Sequence, residues 1–429
     1  MLWVLFLSFI FLCLIRVPIA FAMFVSSTLA IIFEGTAPLT IVVQRMWVGL
    51  NSFPLLAVPF FMVVGQLMNE SGTSRRLIDF SDSLVGHLKG GLAHVNVVVS
   101  MIFAGISGVS SADTAGVGSV LIPAHLRTGY PAGFTVGVTA ASSTLGNIIP
   151  PSLMMIIYAA TAGLSVGALF LMGIVPGILI GGLQMVYSYF VAYKLGIGAN
   201  NKFSWRRLWQ NSKVAFLALL IPIIVVGGIM LGIFTATEAS CITLLYTLLL
   251  TGIYKEINIS RVYETFKKSV GFFSLSLFCV AAASVWGWVL AYYNIPEKAV
   301  EFLGSIGMLS SQYYIFLTVV IIFLIIGTFM DAIPAIIILQ PIVGSIAVGA
   351  GINPYHMAIV VVLTLSIGLI TPPYGLCLLI AADLAHIPVA RATKAMVPFY
   401  CISLIVVSVA IFFPELMILI PKLVMPQSI

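Results

Sequence analysis

Charge is what this chain has least of. Of its 429 residues, 7% are Asp, Glu, Lys or Arg, while 61% are hydrophobic. Soluble domains carry about 25% charged residues. A soluble core could not bury this much apolar sequence, which leaves an all-α polytopic membrane protein. Cysteine is also scarce. Cys13, Cys241, Cys279, Cys377 and Cys401 are scattered through apolar runs without CxxC spacing. They read as small buried hydrophobes rather than a disulfide or metal set. The five His residues show no paired spacing for haem or zinc. There is no Walker A, Ser-His-Asp or HExxH pattern, so any uphill work must come from an ion gradient. The net charge of +6 resides in short loops between apolar runs and is no sign of nucleic-acid binding. The N-terminus, Met-Leu-Trp-Val-Leu-Phe, has neither a basic n-region nor a small-residue cleavage site, and reads as a retained span.

Against this background one stretch is conspicuously polar. Gly105-Ile-Ser-Gly-Val-Ser-Ser-Ala-Asp-Thr-Ala-Gly-Val-Gly118 sets four glycines, four hydroxyls and Asp113 inside a long apolar region. A lone carboxylate at the centre of a bilayer costs about 2.5–3.5 kcal/mol even on the lenient insertion scale. Non-helical backbone at that depth survives only inside protein or beside a wet cavity. The stretch is therefore expected to be a broken hairpin with a polar tip. It has an echo. Asp113 is followed ten residues later by Pro123, and Asp331 ten residues later by Pro341. Ser142-Ser-Thr-Leu-Gly-Asn-Ile-Ile-Pro-Pro151 resembles Thr364-Leu-Ser-Ile-Gly-Leu-Ile-Thr-Pro-Pro373 in its hydroxyl, Gly and Pro-Pro spacing. Paired, Gly/Pro-interrupted apolar segments in two halves point to the central site of a transporter.

In chain order, residues 1–52 give two short apolar runs, broken at Arg16 and Pro18, and a partly polar connection. Residues 53–193 form a first repeat: a span, an amphipathic surface helix within Glu70–Lys89, a hairpin at 90–127, a span broken at Gly146–Pro151, and a further span. Residues 194–268 hold two basic loops, 194–213 and 254–268, around two connecting spans. Residues 269–413 repeat the first series, with the hairpin at 312–350 and the broken span at 355–385; 414–429 is a tail. This gives about ten spans plus two re-entrant helical hairpins. With the basic loops placed in the cytoplasm, 16 of the 19 Lys and Arg fall on that side. Only Arg45, Lys298 and Lys422 fall outside, and both termini come out periplasmic. The hairpins then enter from opposite faces, so the repeat is inverted.

Each tip is expected to face the broken span of its own half. Ser107, Ser110, Ser111, Asp113 and Thr114 would meet Thr144, Gly146 and Asn147. Gly327, Thr328 and Asp331 would meet Ser366, Gly368 and Thr371. These are hard oxygen donors beside helix ends with unpaired carbonyls, which suit a small hard cation. Half-helix N-termini pointing the other way suit an anionic group. Plainer roles stay open: Ser and Thr can bond back to their own helices, and Asp113 and Asp331 can be helix N-caps. Outer loops near 34–52, 235–238 and 294–311 carry few charges, so a partner there is expected to use Arg45, Glu238 or Lys298.

The inverted hairpins, Gly-Ile-Ser-Gly-Val-Ser-Ser-Ala-Asp113, Gly146-Asn-Ile-Ile-Pro-Pro-Ser152 and Gly368-Leu-Ile-Thr-Pro-Pro373 resemble the large membrane subunit of tripartite ATP-independent periplasmic (TRAP) transporters. The likeness covers nearly the whole chain and is greatest to the sialic-acid members. It implies sodium-driven uptake of organic acids, with sialic acid or another carboxylate as substrate, across the bacterial inner membrane. It implies an elevator in which a transport domain carrying the hairpins moves against a scaffold. No cofactor beyond coupling sodium ions is implied. The partners implied are a periplasmic substrate-binding protein and a small four-helix membrane subunit. No such segment precedes Met1, so the small subunit is expected as a separate chain. Carried onto this chain, the resemblance implies sodium ligands among Ser107, Ser110, Asp113, Gly146, Asn147, Gly327, Thr328, Asp331, Gly368 and Thr371. Substrate contacts are implied among Ser111, Thr114, Thr144, Pro150, Pro151, Ser152, Ser366, Pro372 and Pro373. A membrane enzyme or redox subunit would need metal, haem or nucleophile constellations that the sequence lacks. A passive channel fits inverted hairpins less well than alternating access does.

Overall fold

In the computed structural model, residues 2–35, 37–199, 201–254, 258–425 and 427 are described, and they contain helices and no strand. Lys255 of the expected basic loop lies outside the described residues. Two short apolar helices, α1 (Leu2–Leu14) and α2 (Ile19–Glu34), pair with each other across the break. There Arg16 takes a φ of 64° and Pro18 offers no amide. The connection 34–52, expected to be partly polar, contains a helix, α3 (Thr40–Leu50), which packs along the much later α14. Its stability comes from that contact, with Val42 buried and the Arg45 guanidinium 5.7 Å from the Trp288 ring centroid.

The first series runs through a 3-10 turn, Phe53–Leu56, into α4 (Ala57–Glu70), then the amphipathic α5 (Thr73–Val85). The hairpin arms α6 (Gly91–Ser107) and α7 (Ser110–Arg127) follow. The broken pair is α8 (Ala132–Ser143), ending in a 3-10 turn at Thr144–Asn147, and α9 (Leu153–Ala162); α10 (Val166–Leu195) closes the series. The middle of the chain holds α11 (Trp205–Pro222), a π-helical turn at Ile223–Gly227, α12 (Gly228–Met230) and α13 (Ala236–Tyr254). The same order then recurs: α14 (Ile259–Tyr292), amphipathic α15 (Ile295–Ser305), hairpin arms α16 (Gln312–Gly327) and α17 (Ala332–Gly349), broken pair α18 (Pro354–Gly368) and α19 (Leu376–Leu384), and α20 (Val389–Phe412). The expected tail is helical as well. α21 (Pro414–Val424) buries Met417 and Ile418 and packs on α10.

The two series interlock. The second arm of the first hairpin, α7, packs on α19, and the second arm of the other, α17, packs on α9. Among the described residues, seven helical stretches are long and apolar enough to cross a membrane: Phe53–Glu70, α10, Trp205–Met230, α13, α14, α17 and α20. The short runs at 1–15 and 17–33 are single helices, and the broken spans at 132–162 and 355–385 are each split in two as expected; every piece is below the ~20 residues a straight crossing needs.

The basic loops are shorter than expected, because capping residues start the helices early. Ser204 Oγ accepts the Arg207 N–H at 3.4 Å and Asn258 Oδ1 accepts that of Arg261 at 2.9 Å. Arg206, Arg207 and Lys213 therefore lie on α11, and Arg261, Lys267 and Lys268 on α14. These segments gather with α5 at one end of the molecule. The Gly90 N–H bonds Gly198 O at 3.1 Å, Asn201 Nδ2 bonds Asp82 Oδ2 at 2.8 Å, and Thr265 Oγ1 bonds Glu70 at 3.0 Å. The far end of α4 meets different partners: Thr237 Oγ1 donates to Phe53 O at 2.9 Å. Nearby, the Ser165 N–H bonds Tyr355 Oη at 3.0 Å. Both basic segments thus lie beside α5 and the end of α4.

Asp82 is 8% exposed and is gripped by both Arg207 and Asn201. Arg207→Ala, leaving that carboxylate short of a charged donor, is expected to lower unfolding stability in detergent by about 1–3 kcal/mol. Lys422→Ala breaks a solvent-exposed pair with Glu415 and is expected to cost about 0–1 kcal/mol. Thermal unfolding of the two variants side by side checks the difference.

Candidate functional site

The first hairpin turns at Gly108, whose φ of 65° is the left-handed region that other residues avoid. The turn seats the tip on the break between α8 and α9. The Leu153 N–H bonds Gly108 O at 3.3 Å, and the Ser110 N–H bonds Asn147 Oδ1 at 3.4 Å. Asp113, in the first turn of α7, is wholly buried. One of its carboxylate oxygens accepts a hydrogen bond from Ser107 Oγ, whereas Oδ2 has no partner among the described residues, nor does the buried Ser110 Oγ. Gly146 presses against this pair: a Cβ there would lie 2.5 Å from Asp113 Oδ2 and 3.0 Å from Ser110 N. Ser107, Ser110, Asp113, Gly146 and Asn147 thus form one buried cluster of oxygen donors. A carboxylate left half-unsatisfied in such a place is costly unless a proton or a cation completes it.

The second tip is built differently. Asp331 stands at the N-cap of α17 and accepts the Ala332 N–H at 2.8 Å. The capping role left open for both Asp residues therefore applies to Asp331, while Asp113 lies inside α7 with Val109 at its N-cap. The tip crosses α18 at its end: a Cβ on Gly368 would lie 2.8 Å from Gly327 Cα. The Tyr374 N–H bonds Thr328 O at 3.0 Å. Thr328, Ser366 and Thr371 donate their hydroxyl protons to Ile325 O, Val362 O and Ile367 O. In the first half Thr114 and Thr144 donate likewise to Ser110 O and Ala141 O. Each such hydroxyl still keeps acceptor lone pairs.

Between the two tips lies a further space. Both line one cavity of about 60 Å³, reached by Ser110, Ser111, Asn147, Leu153, Asp331, Ala332 and Leu376. These include the first residues of α7, α9, α17 and α19, so four helix N-termini face a single space. The first amides of α7, α9 and α17 are already bonded to Asn147, Gly108 and Asp331, so what these ends offer the space is chiefly their dipoles, roughly half a positive charge each, which favour an anion. Sequence reasoning did not name Leu153, Ala332 or Leu376, whose contribution is backbone. The available signal was the place of Leu153 and Leu376 just after the two Pro-Pro interruptions and of Ala332 just after Asp331. Among the expected substrate residues Ser111 lines the cavity. Ser152 caps α9, accepting the Met155 N–H at 3.3 Å and donating to Asn147 O at 2.6 Å. Thr114, Thr144, Ser366 and the cis pairs Pro150-Pro151 and Pro372-Pro373 surround the site without lining the cavity.

Of the expected partner contacts, Lys298 is exposed on α15. Glu238 is exposed too, and it accepts the Thr235 N–H at 2.8 Å and Oγ1 at 2.9 Å, closing the start of α13.

Comparison with known proteins agrees with this architecture. The profile of the family described as "Tripartite ATP-independent periplasmic transporter, DctM component" matches residues 6–416. The sialic acid TRAP transporter large permease protein SiaM of Vibrio cholerae is 34% identical, over 95% of each chain. The C4-dicarboxylate TRAP transporter large permease protein DctM of Pseudomonas aeruginosa is 36% identical, over 86% of each. The crystal structure of the Alcanivorax borkumensis YdaH transporter superposes with a TM-score of 0.59 at 15% identity, covering 88% of this chain and 87% of that one, a likeness of fold. With its two hairpins, two broken helix pairs and a family match over nearly its whole length, the chain belongs to the DctM component of the TRAP transporters.

Proposed function

We propose that the protein carries out sodium-coupled uptake of an organic acid across a bacterial inner membrane, receiving its substrate from a soluble periplasmic binding protein. The observation that carries this reading is the pairing of opposite preferences at one centre. Asp113 Oδ2, Ser110 Oγ and the backbone at Gly146 offer a buried oxygen cage for a cation. Beside it, the N-termini of α7, α9, α17 and α19 offer a positive cavity for a carboxylate. Each ligand screens the other's charge, so neither binds as well alone. The relatives named for sialic acid and for C4-dicarboxylate have the carboxylate in common, and a carboxylate is the proposed substrate class. The small four-helix membrane subunit is proposed as a separate partner chain.

The second tip, with Asp331, Thr328, Gly327, Gly368 and Thr371, is the proposed second sodium site. Two sodium ions with a monoanion move one net positive charge inward. An inside-negative potential then favours uptake by about 2.3 kcal/mol per charge per 100 mV. The packing of α7 on α19 and of α17 on α9 supports an elevator in which both hairpins and both broken pairs travel as one body. The proposed scaffold includes α11 and α13.

Asp113→Ala and Asp331→Ala are each expected to raise the sodium concentration for half-maximal uptake by about tenfold or more, the worth of one lost charged ligand. Cys279→Ala, in apolar packing, is expected to leave it unchanged. Uptake into liposomes at matched protein levels checks all three. Unchanged sodium dependence in both Asp variants would remove the tips from the ion sites. In the same liposomes, uptake is expected to vanish when the soluble binding protein is omitted, and transport that persists without it sinks the tripartite reading.

A further inference from the structure

A second, larger cavity opens at the end of the molecule that holds the turns after α9 and α17. It has a volume of about 690 Å³ and lies between α15 and α17. Its charged lining is of one sign. Glu297 and Glu301, four residues apart on one face of α15, stand exposed at its mouth, and no Lys or Arg lines it. Lys298 on the same helix is not among the lining residues. Neither carboxylate has an ion-pair partner among the described residues. Deeper in, two nearly buried polar groups face the cavity without a hydrogen-bond partner in the described protein. They are the Tyr158 hydroxyl on α9 and the Gln340 amide on α17, at 2% and 8% residue exposure. The Gln340 amide nitrogen lies over Gly344, which also lines the cavity.

The position of this cleft gives it meaning. Its walls α9 and α17 are two of the four helices whose N-termini line the central cavity. Tyr158 is four residues beyond Met154, and Gln340 seven beyond Ile333, both of which reach that cavity. At 1.5 Å per residue the cleft floor stands about 6–10 Å above the central site. Two unpaired carboxylates in a low-dielectric cleft repel an anion and concentrate a cation.

We propose that this cleft is the entrance for the coupling cation. Glu297 and Glu301 gather sodium at the mouth, and the Gln340 amide oxygen and Tyr158 hydroxyl replace part of its hydration on the way to the centre. The proposal rests on the sodium-coupled reading above and adds a route and four residues to it.

The test uses the chain with its small membrane subunit and binding protein in liposomes. Glu297→Gln/Glu301→Gln is expected to need severalfold more sodium for half-maximal uptake at low ionic strength. Added choline chloride should erase the difference, and the maximal rate should be unchanged. Gln340→Leu should raise the sodium requirement at both ionic strengths. A readout independent of transport is the labelling of Ser345→Cys, a cleft residue, in a background without the native cysteines. A cationic thiosulfonate should label it severalfold faster than an anionic one of equal intrinsic reactivity, and the double Gln variant should abolish the preference. A sodium-dependent parent whose variants match it, with no charge preference in labelling, overturns the entrance alone. Variants that raise the requirement for binding protein rather than sodium also overturn it and make the cleft a docking surface. A parent indifferent to sodium overturns the coupling reading and this proposal together.

Discussion

Backbone that leaves a helix inside an apolar slab must find partners for its amides and carbonyls, because no water is there to supply them. Four helices of this protein begin in that situation. The structure meets the constraint by setting each interruption against another. The turn at Gly108 bonds Leu153 at the start of α9, Asn147 bonds Ser110 at the start of α7, and Tyr374 bonds Thr328 at the tip of the second hairpin. The broken pieces satisfy one another, and the starts of four of them border one small cavity. Site and fold therefore have the same cause.

The two tips share an outline but not a chemistry. Asp113 is wholly buried and tied by a serine, with one oxygen free, whereas Asp331 spends a carboxylate oxygen on the first amide of its own helix and borders the shared cavity. A repeat keeps its spacing long after its two copies have diverged in what they hold. The Asp113 carboxylate is enclosed by protein, while Ser110 and Ser111 of the same tip reach the shared cavity. The Asp331 carboxylate instead borders that cavity directly.

Much of the outline was legible because membrane segments announce themselves. The hairpins, both interruptions and the amphipathic helices followed from glycine, proline and charge placed within apolar runs. The spacing from Asp113 to Pro123 and from Asp331 to Pro341 marks the second arms. What stayed hidden depended on residues far apart in the chain. α3 is helical because α14 lies beside it, and α21 because α10 offers Met417 and Ile418 a surface. The basic loops shrank because Ser204 and Asn258 begin helices in polar sequence, where apolar periodicity is silent. At the site, side-chain motifs found the clusters at the tips. They could not find the convergence of α9, α17 and α19, because what gathers there is the start of helices, which no side-chain motif marks.

The exchange of partners between the halves has a consequence for how the chain is made. α7 is complete at Arg127, yet the helix it packs against, α19, begins at Leu376. At ordinary rates of synthesis, about 5–20 residues per second, the wait is on the order of ten to fifty seconds. Through that interval the first hairpin sits in the bilayer, or in the insertion machinery, with a buried carboxylate and an open polar tip and no opposite half to cover them. The cell must therefore hold a half-built transporter that is neither folded nor free to leave, and the order of translation becomes part of the protein's design.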